Sequence, residues 1–182
     1  MALTATPTAL PGVLVLEPSL HGDARGHLIE TFNARDFARA TGLERTFVQD
    51  NQSRSVGGVL RGMHYQLVRP QGKLVRVVRG AIFDVAVDAR RDSAHFGRSV
   101  GVELTEENRR QLWVPEGFAH GFVVLSDLAD VAYKATEFWA PEHERSFRWD
   151  DPTVAVAWPP AGAPLVSAKD EAAPRFADAE LF

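Results

Sequence analysis

From residue 74 to residue 136 the chain is cut into short apolar runs by glycine, proline and polar turns, which leaves little freedom in what it can fold into. The runs at 74–78, 81–87, 99–104, 110–114, 121–125 and 131–136 have strand length, not helix length. In the second run Ile82, Asp84, Ala86 and Asp88 alternate with Phe83, Val85 and Val87, a period of two that suits a strand with one buried face. Many short strands joined by regular turns build a sandwich or a barrel. A helix is predicted over Ala34–Thr41, where Asn33 can cap the start and Gly42 the end, and a capped turn is predicted after Thr105.

The 182 residues suit one domain spanning 1–182, with no linker, solenoid repeat or low-complexity tract dividing it. From about Trp158 the alternation stops, and proline and alanine predict an irregular wrap with a short helix. A net charge of −4 supplies no basic field, so sequence-independent nucleic-acid binding is not expected. Cysteine is absent, which removes thiolate nucleophiles and thiolate metal sites. Residues 1–12 carry no secretory pattern and no stretch spans a bilayer, so a soluble cytoplasmic protein without membrane partners is expected.

The segment Leu60-Arg61-Gly62-Met63-His64-Tyr65-Gln66, followed by Gln71-Gly72-Lys73, places a histidine and a scarce cation on neighbouring strand-like segments. Only Lys73, Lys134 and Lys169 are lysines. A stiff sheet can hold an acid–base group and a compact positive charge around one small substrate. Alone in a strand, a histidine is more often a packed residue; the surrounding motif is what distinguishes His64.

The spacings Gly58-x5-His64-x-Gln66, Lys73-x6-Gly80 and Pro115-x-Gly117-x2-His120 resemble the two cupin motifs, with Gln66 and Lys73 standing where metal cupins carry ligands. Protonated lysine and an amide are poor metal ligands. Together with Asp23-x-Arg25-Gly26, Phe47-Val48-Gln49-Asp50-Asn51, Tyr133-Lys134 and Ser167-Ala168-Lys169-Asp170, these motifs resemble the dTDP-4-dehydrorhamnose 3,5-epimerase family from about residue 12 to 178. The resemblance implies an all-β, cupin-type jelly roll with a few short peripheral helices. It further implies a homodimer, no metal or other cofactor, and a dTDP-4-keto-6-deoxyhexose substrate inverted at C3 and C5. A related reading is inversion at only one of these carbons. Readings of another class are a metal-dependent cupin and a non-catalytic sugar-binding cupin.

A C4 ketone acidifies the protons on both neighbouring carbons, so one base and one oxyanion stabiliser can serve both. His64 is the candidate base, and Lys73 the group that meets the enolate oxygen. The resemblance pairs Asp170 with His64 and makes Tyr133 the acid on the opposite face of the ring. It puts Arg25, Arg61 and Lys169 at the nucleotide and phosphates, and makes Glu30, Gln49, Asn51 and Glu144 polar contacts. Arg25 and Glu30 are expected to reach the partner's pocket. His120 is expected to contact substrate or to support a residue that does. Asp50 is read as holding a turn, and His21, His27, His95 and His143 as surface residues. Where the family commonly has aromatics after Arg-Gly, this chain has His27 and Leu28; where it has tyrosines, this chain has Phe138 and Trp139. Trp139 can still stack on a base but offers no hydroxyl.

Overall fold

The computed structural model describes residues 3–160 and 162–182. Its strands in chain order are β1 (Leu3–Pro7), β2 (Leu14–Pro18), β3 (Leu20–Asp23) and β4 (Gly26–Ile29) before helix α1 (Ala34–Thr41). After it come β5 (Gln49–Val56), β6 (Val59–Gln66), β7 (Lys73–Arg79), β8 (Ala81–Asp88), β9 (Ser99–Thr105), β10 (Gln111–Val114), β11 (Phe118–Val124) and β12 (Leu128–Ala135). The tail adds β13 (Glu144–Ser146), β14 (Leu165–Val166) and helix α2 (Ala168–Glu171).

Two sheets form the body, in the orders β1-β2-β10-β7-β12-β5 and β13-β6-β11-β8-β9, while β3 and β4 make a separate hairpin. This is the all-β architecture expected of a cupin-type jelly roll. Between the sheets, Val75, Val77 and Val131 from one meet Ile82, Ala86, Leu104 and Phe122 from the other. Burying each of the larger side chains stabilises the fold by about 1.5–3 kcal/mol.

One expectation fails at β8, which is buried on both faces. Val85 and Val87 pack outward against Met63, Tyr65, Phe147 and Phe176, because the tail wraps that side of the second sheet. The inward parity therefore carries Asp84 and Asp88 into positions with no solvent exposure.

The helix forms where predicted. Asn33 accepts hydrogen bonds from the Arg35 and Asp36 backbone N–H groups, and Gly42 closes the helix at φ 72°. Phe37 is its buried residue and meets Trp113 edge-on, with ring centroids 5.5 Å apart. Thr105 caps its turn by accepting from Glu107 and Asn108. Among the described residues no helix is long and apolar enough to cross a membrane.

Candidate active site

The site grows from an irregular pairing of β6 with β11. His64 lies opposite His120, but the register then shifts so that Arg61 lies opposite Phe122. Residues three apart on a regular strand point to opposite faces. One extra residue reverses the parity, so Arg61 and His64 both turn toward the space between the sheets, where Arg61 Nε donates to Ser55 Oγ at 3.0 Å. Two glycines allow this. A Cβ on Gly62, which sits at φ 134°, would stand 2.6 Å from the Gly121 Cα, and one on Gly121 would stand 2.8 Å from the Arg61 carbonyl oxygen.

Asp170 arrives from the tail. β14 pairs in parallel with β6, Leu165 opposite Val59 and Val166 opposite Leu60, and α2 follows at once. Ser167 Oγ accepts from the Asp170 backbone N–H at 3.1 Å, orienting the side chain toward β6. Asp170 Oδ1 then lies 2.5 Å from His64 Nε2, and Oδ2 accepts from the Gly62 N–H at 3.3 Å. Burial pushes the Asp170 carboxyl upward, but contact with His64, the Gly62 N–H and Ser167 outweigh it and hold the group below the usual carboxylate range.

Lys73 opens β7 opposite Ala135, two residues from Tyr133 on β12. Its Nζ lies 6.0 Å from the centre of the Tyr133 ring. Burial brings the Lys73 ammonium down to about 8, against the fields of Glu144 and Asp84, which favour its charge. Burial raises Tyr133, Glu144 adds to the rise and Arg61 offsets part of it, so the phenol stays protonated near neutrality. Thus a carboxylate-backed imidazole, an ammonium and a protonated phenol border the same inter-sheet space.

The expected binding residues form a second tier. Asn51 pairs across the sheet with Tyr133 and accepts from Gln49 Nε2 at 2.9 Å, while Gln49 Oε1 accepts from the Trp139 N–H at 2.9 Å. Trp139 is 57% exposed and Phe138 53%. Gln66 holds the base of this aromatic pair: its amide donates to the Arg69 and Phe138 carbonyls and accepts from the Ala140 N–H. Both polar ends of Gln66 are thus committed to backbone. Glu144 meets Lys169 at 2.5 Å.

Arg25 and Glu30 do not converge with His64 within one chain. Arg25, with an 89% exposed side chain, pairs with Asp23 on the β3–β4 hairpin, and Glu30 borders a cleft with Pro18 and Asn33. Asp50 is not in a turn: it lies within β5, opposite Lys134, and accepts from that lysine's Nζ at 2.9 Å. His21 and His27 are exposed as expected, whereas His95 and His143 are half-buried. Sequence reasoning missed Asp84, whose Oδ1 lies 2.7 Å from His120 Nε2. Its signal was an acid on the same strand face as Ile82 and Ala86.

The sequence profile of the dTDP-4-dehydrorhamnose 3,5-epimerase family matches residues 7–178. The chain belongs to that family. It is 54% identical over 180 residues to the dTDP-4-dehydrorhamnose 3,5-epimerase of Pseudomonas aeruginosa, covering 99% of each chain. It is 51% identical over 175 residues to that of Salmonella typhimurium, covering 96% of each. Among solved structures, the dTDP-6-deoxy-D-glucose-3,5-epimerase of Legionella pneumophila, crystallised with dTDP-4-keto-L-rhamnose, superposes with a TM-score of 0.94 at 47% identity. That match covers 97% of this chain and 94% of the other. The matched span includes β6, β7, β12 and α2, which carry His64, Lys73, Tyr133 and Asp170.

Proposed function

We infer that this chain is a dTDP-4-dehydrorhamnose 3,5-epimerase, an isomerase converting dTDP-4-dehydro-6-deoxy-D-glucose to dTDP-4-dehydro-L-rhamnose. The observation that carries the mechanism is the 2.5 Å contact of Asp170 with His64, with Lys73 Nζ 6.0 Å from the Tyr133 ring on the other sheet. His64 takes the proton from the carbon beside the ketone. Asp170, fixed behind the ring, orients it and balances the charge it gains. Lys73 meets the negative charge that moves onto the C4 oxygen. Tyr133 returns a proton from the opposite face, which inverts the carbon; His64 then gives its proton to solvent and Tyr133 regains one from solvent, and the sequence repeats at the second carbon.

Trp139 offers an exposed ring to the thymine, with Gln49 and Asn51 beside it. Arg61, Lys169 and Glu144 complete the polar surround. For Arg25 and Glu30 the reading requires a second subunit. Support comes from the β3–β4 hairpin: β3 is exposed along its length and Leu28 is 65% exposed. A lone two-stranded ribbon is marginal in water, and a partner covering it would bring Arg25 and Glu30 to a neighbouring pocket.

Incubation with dTDP-4-keto-6-deoxyglucose in heavy water, followed by NMR of the sugar, tests the reaction. Deuterium at both C3 and C5 with inversion at both is expected. Label at one carbon alone would instead indicate a single epimerase, and binding without exchange a sugar-binding module.

A further inference from the structure

Residues 137–140 follow β12 and belong to no strand or helix. Their backbone is nevertheless taken up by side chains at every residue. Gln71 Nε2 donates to the Glu137 carbonyl at 2.8 Å, and the Glu137 carboxylate accepts from the Phe138 N–H at 2.8 Å. Gln66 Nε2 donates to the Phe138 carbonyl at 3.1 Å, Gln66 Oε1 accepts from the Ala140 N–H at 2.8 Å, and Gln49 Oε1 accepts from the Trp139 N–H at 2.9 Å. Backbone held this closely carries two large rings that are left uncovered, Phe138 and Trp139. Such a surface suits recognition, because a segment that must be ordered during binding subtracts that cost from affinity. Gln66 is the central tie. It is 4% exposed, and its amide also donates to the Arg69 carbonyl at 2.6 Å, so both amide hydrogens are spent on backbone.

We propose that Gln66 is a positioning residue for nucleotide recognition: it holds residues 137–140 in one conformation, so that Trp139 stands as a formed platform for the nucleobase before the nucleotide arrives. This rests on the epimerase reading above. Gln66 itself touches neither nucleobase nor sugar and acts through the segment it ties. It lies on β6 with His64, two positions further on, so one strand carries both the proton-abstracting group and the anchor of the recognition surface. The two roles separate in kinetics. Loss of the anchor removes binding shared by ground and transition states, which raises KM and spares kcat.

The test is a double-mutant cycle read by calorimetry with dTDP, on the unaltered protein, Gln66→Met, Trp139→Ala and the double variant. Methionine has similar volume but cannot donate to the Arg69 and Phe138 carbonyls. Trp139→Ala should weaken dTDP by about 10- to 100-fold, the effect of losing a stacked base, and Gln66→Met by about tenfold, the effect of having to order the segment on binding. In the Trp139→Ala background Gln66→Met should add little, because its effect passes through that ring. A merely structural Gln66 would cost the same factor in both backgrounds, and such additivity overturns the proposal. So does unaltered dTDP affinity in either single variant, or a loss with dTDP-4-keto-6-deoxyglucose that lies in kcat instead of KM. If the unaltered protein binds no dTDP, the epimerase reading fails and takes the proposal with it. Should Gln66→Met not fold, amide hydrogen exchange in the unaltered protein decides. The Trp139 and Ala140 N–H groups are expected to be protected equally with and without dTDP; fast exchange that slows only when dTDP binds would mean that the ligand forms the platform, and overturns the proposal.

Discussion

Asp170 follows His64 by 106 positions in the chain, yet its Oδ1 lies 2.5 Å from His64 Nε2 while its Oδ2 accepts from the Gly62 N–H. The carboxylate therefore grips both the imidazole and the backbone bulge that turns that imidazole inward. Orientation of the base and shape of the strand are held by one side chain.

Replacing His64 by alanine should abolish solvent exchange at C3 and C5 together. Loss of a positioned general base costs about 10²–10⁴-fold, and water has no comparable anchor there. Exchange at close to the unaltered rate, followed by NMR, would remove His64 from the mechanism.

Asp170→Asn should lower turnover sharply and leave nucleotide binding largely intact, because the imidazole keeps a neighbour but loses its balancing charge. The folded protein holds this carboxyl below its unfolded value. Its contribution to stability is therefore present above the unfolded pKa and is lost as pH falls through the folded one. Thermal melts across the acid range should show a shallower acid loss in Asp170→Asn; identical slopes would contradict the linkage.

Lys73 must be charged to meet an enolate, and burial brings it down to about 8. The activity it supports is fully present below that value and declines as pH rises through it, so kcat/KM should carry a descending limb near pH 8. Lys73→Met should lose on the order of 10²–10³-fold in turnover and lose that limb with it. A change confined to KM would make Lys73 a phosphate contact. Stability runs the other way. The unfolded chain binds the extra proton between about 8 and 10.5, so this residue's contribution to folding improves over that interval.

Tyr133→Phe separates proton removal from proton return. His64 should still form the enolate and restore a solvent proton to the original face. Deuterium would then wash into unreacted substrate while inversion slows, raising the ratio of exchange to epimerisation, most of all at C5. Equal loss of both, measured in one NMR time course, would mean that Tyr133 only shapes the pocket.

If Arg25 completes the neighbouring pocket, mixing inactive His64→Ala with impaired Arg25→Ala subunits should rescue activity. A mixed dimer contains one pocket with both residues intact. The idea is falsified if subunit exchange, verified by native mass spectrometry, gives no rate beyond that of Arg25→Ala alone.

Much of this molecule was legible along the chain because its signals are local. Asn33 and Gly42 act on backbone groups within a few residues, so the α1 boundaries followed from sequence. Period-two runs announced the strands, although β11 begins at Phe118, earlier than the apolar run at 121–125 suggested, and so includes His120. The motif around His64 and Lys73 pointed to the chemistry because residue types and spacing were enough to suggest a base and a cation.

What only the tertiary structure decided are relations between strands and segments that have no local signature. Burial of β8 on both faces depends on Phe147 and Phe176 folding back from the tail. The inward turn of both Arg61 and His64 depends on Gly62 meeting Gly121 across a shifted register. Asp84 became a partner of His120 because pairing of β8 with β11 set the two side chains on one face. Strand periodicity says which face a residue shares with its chain neighbours. Which distant residue it meets is set by the register between strands, and that register is decided only when the whole core packs.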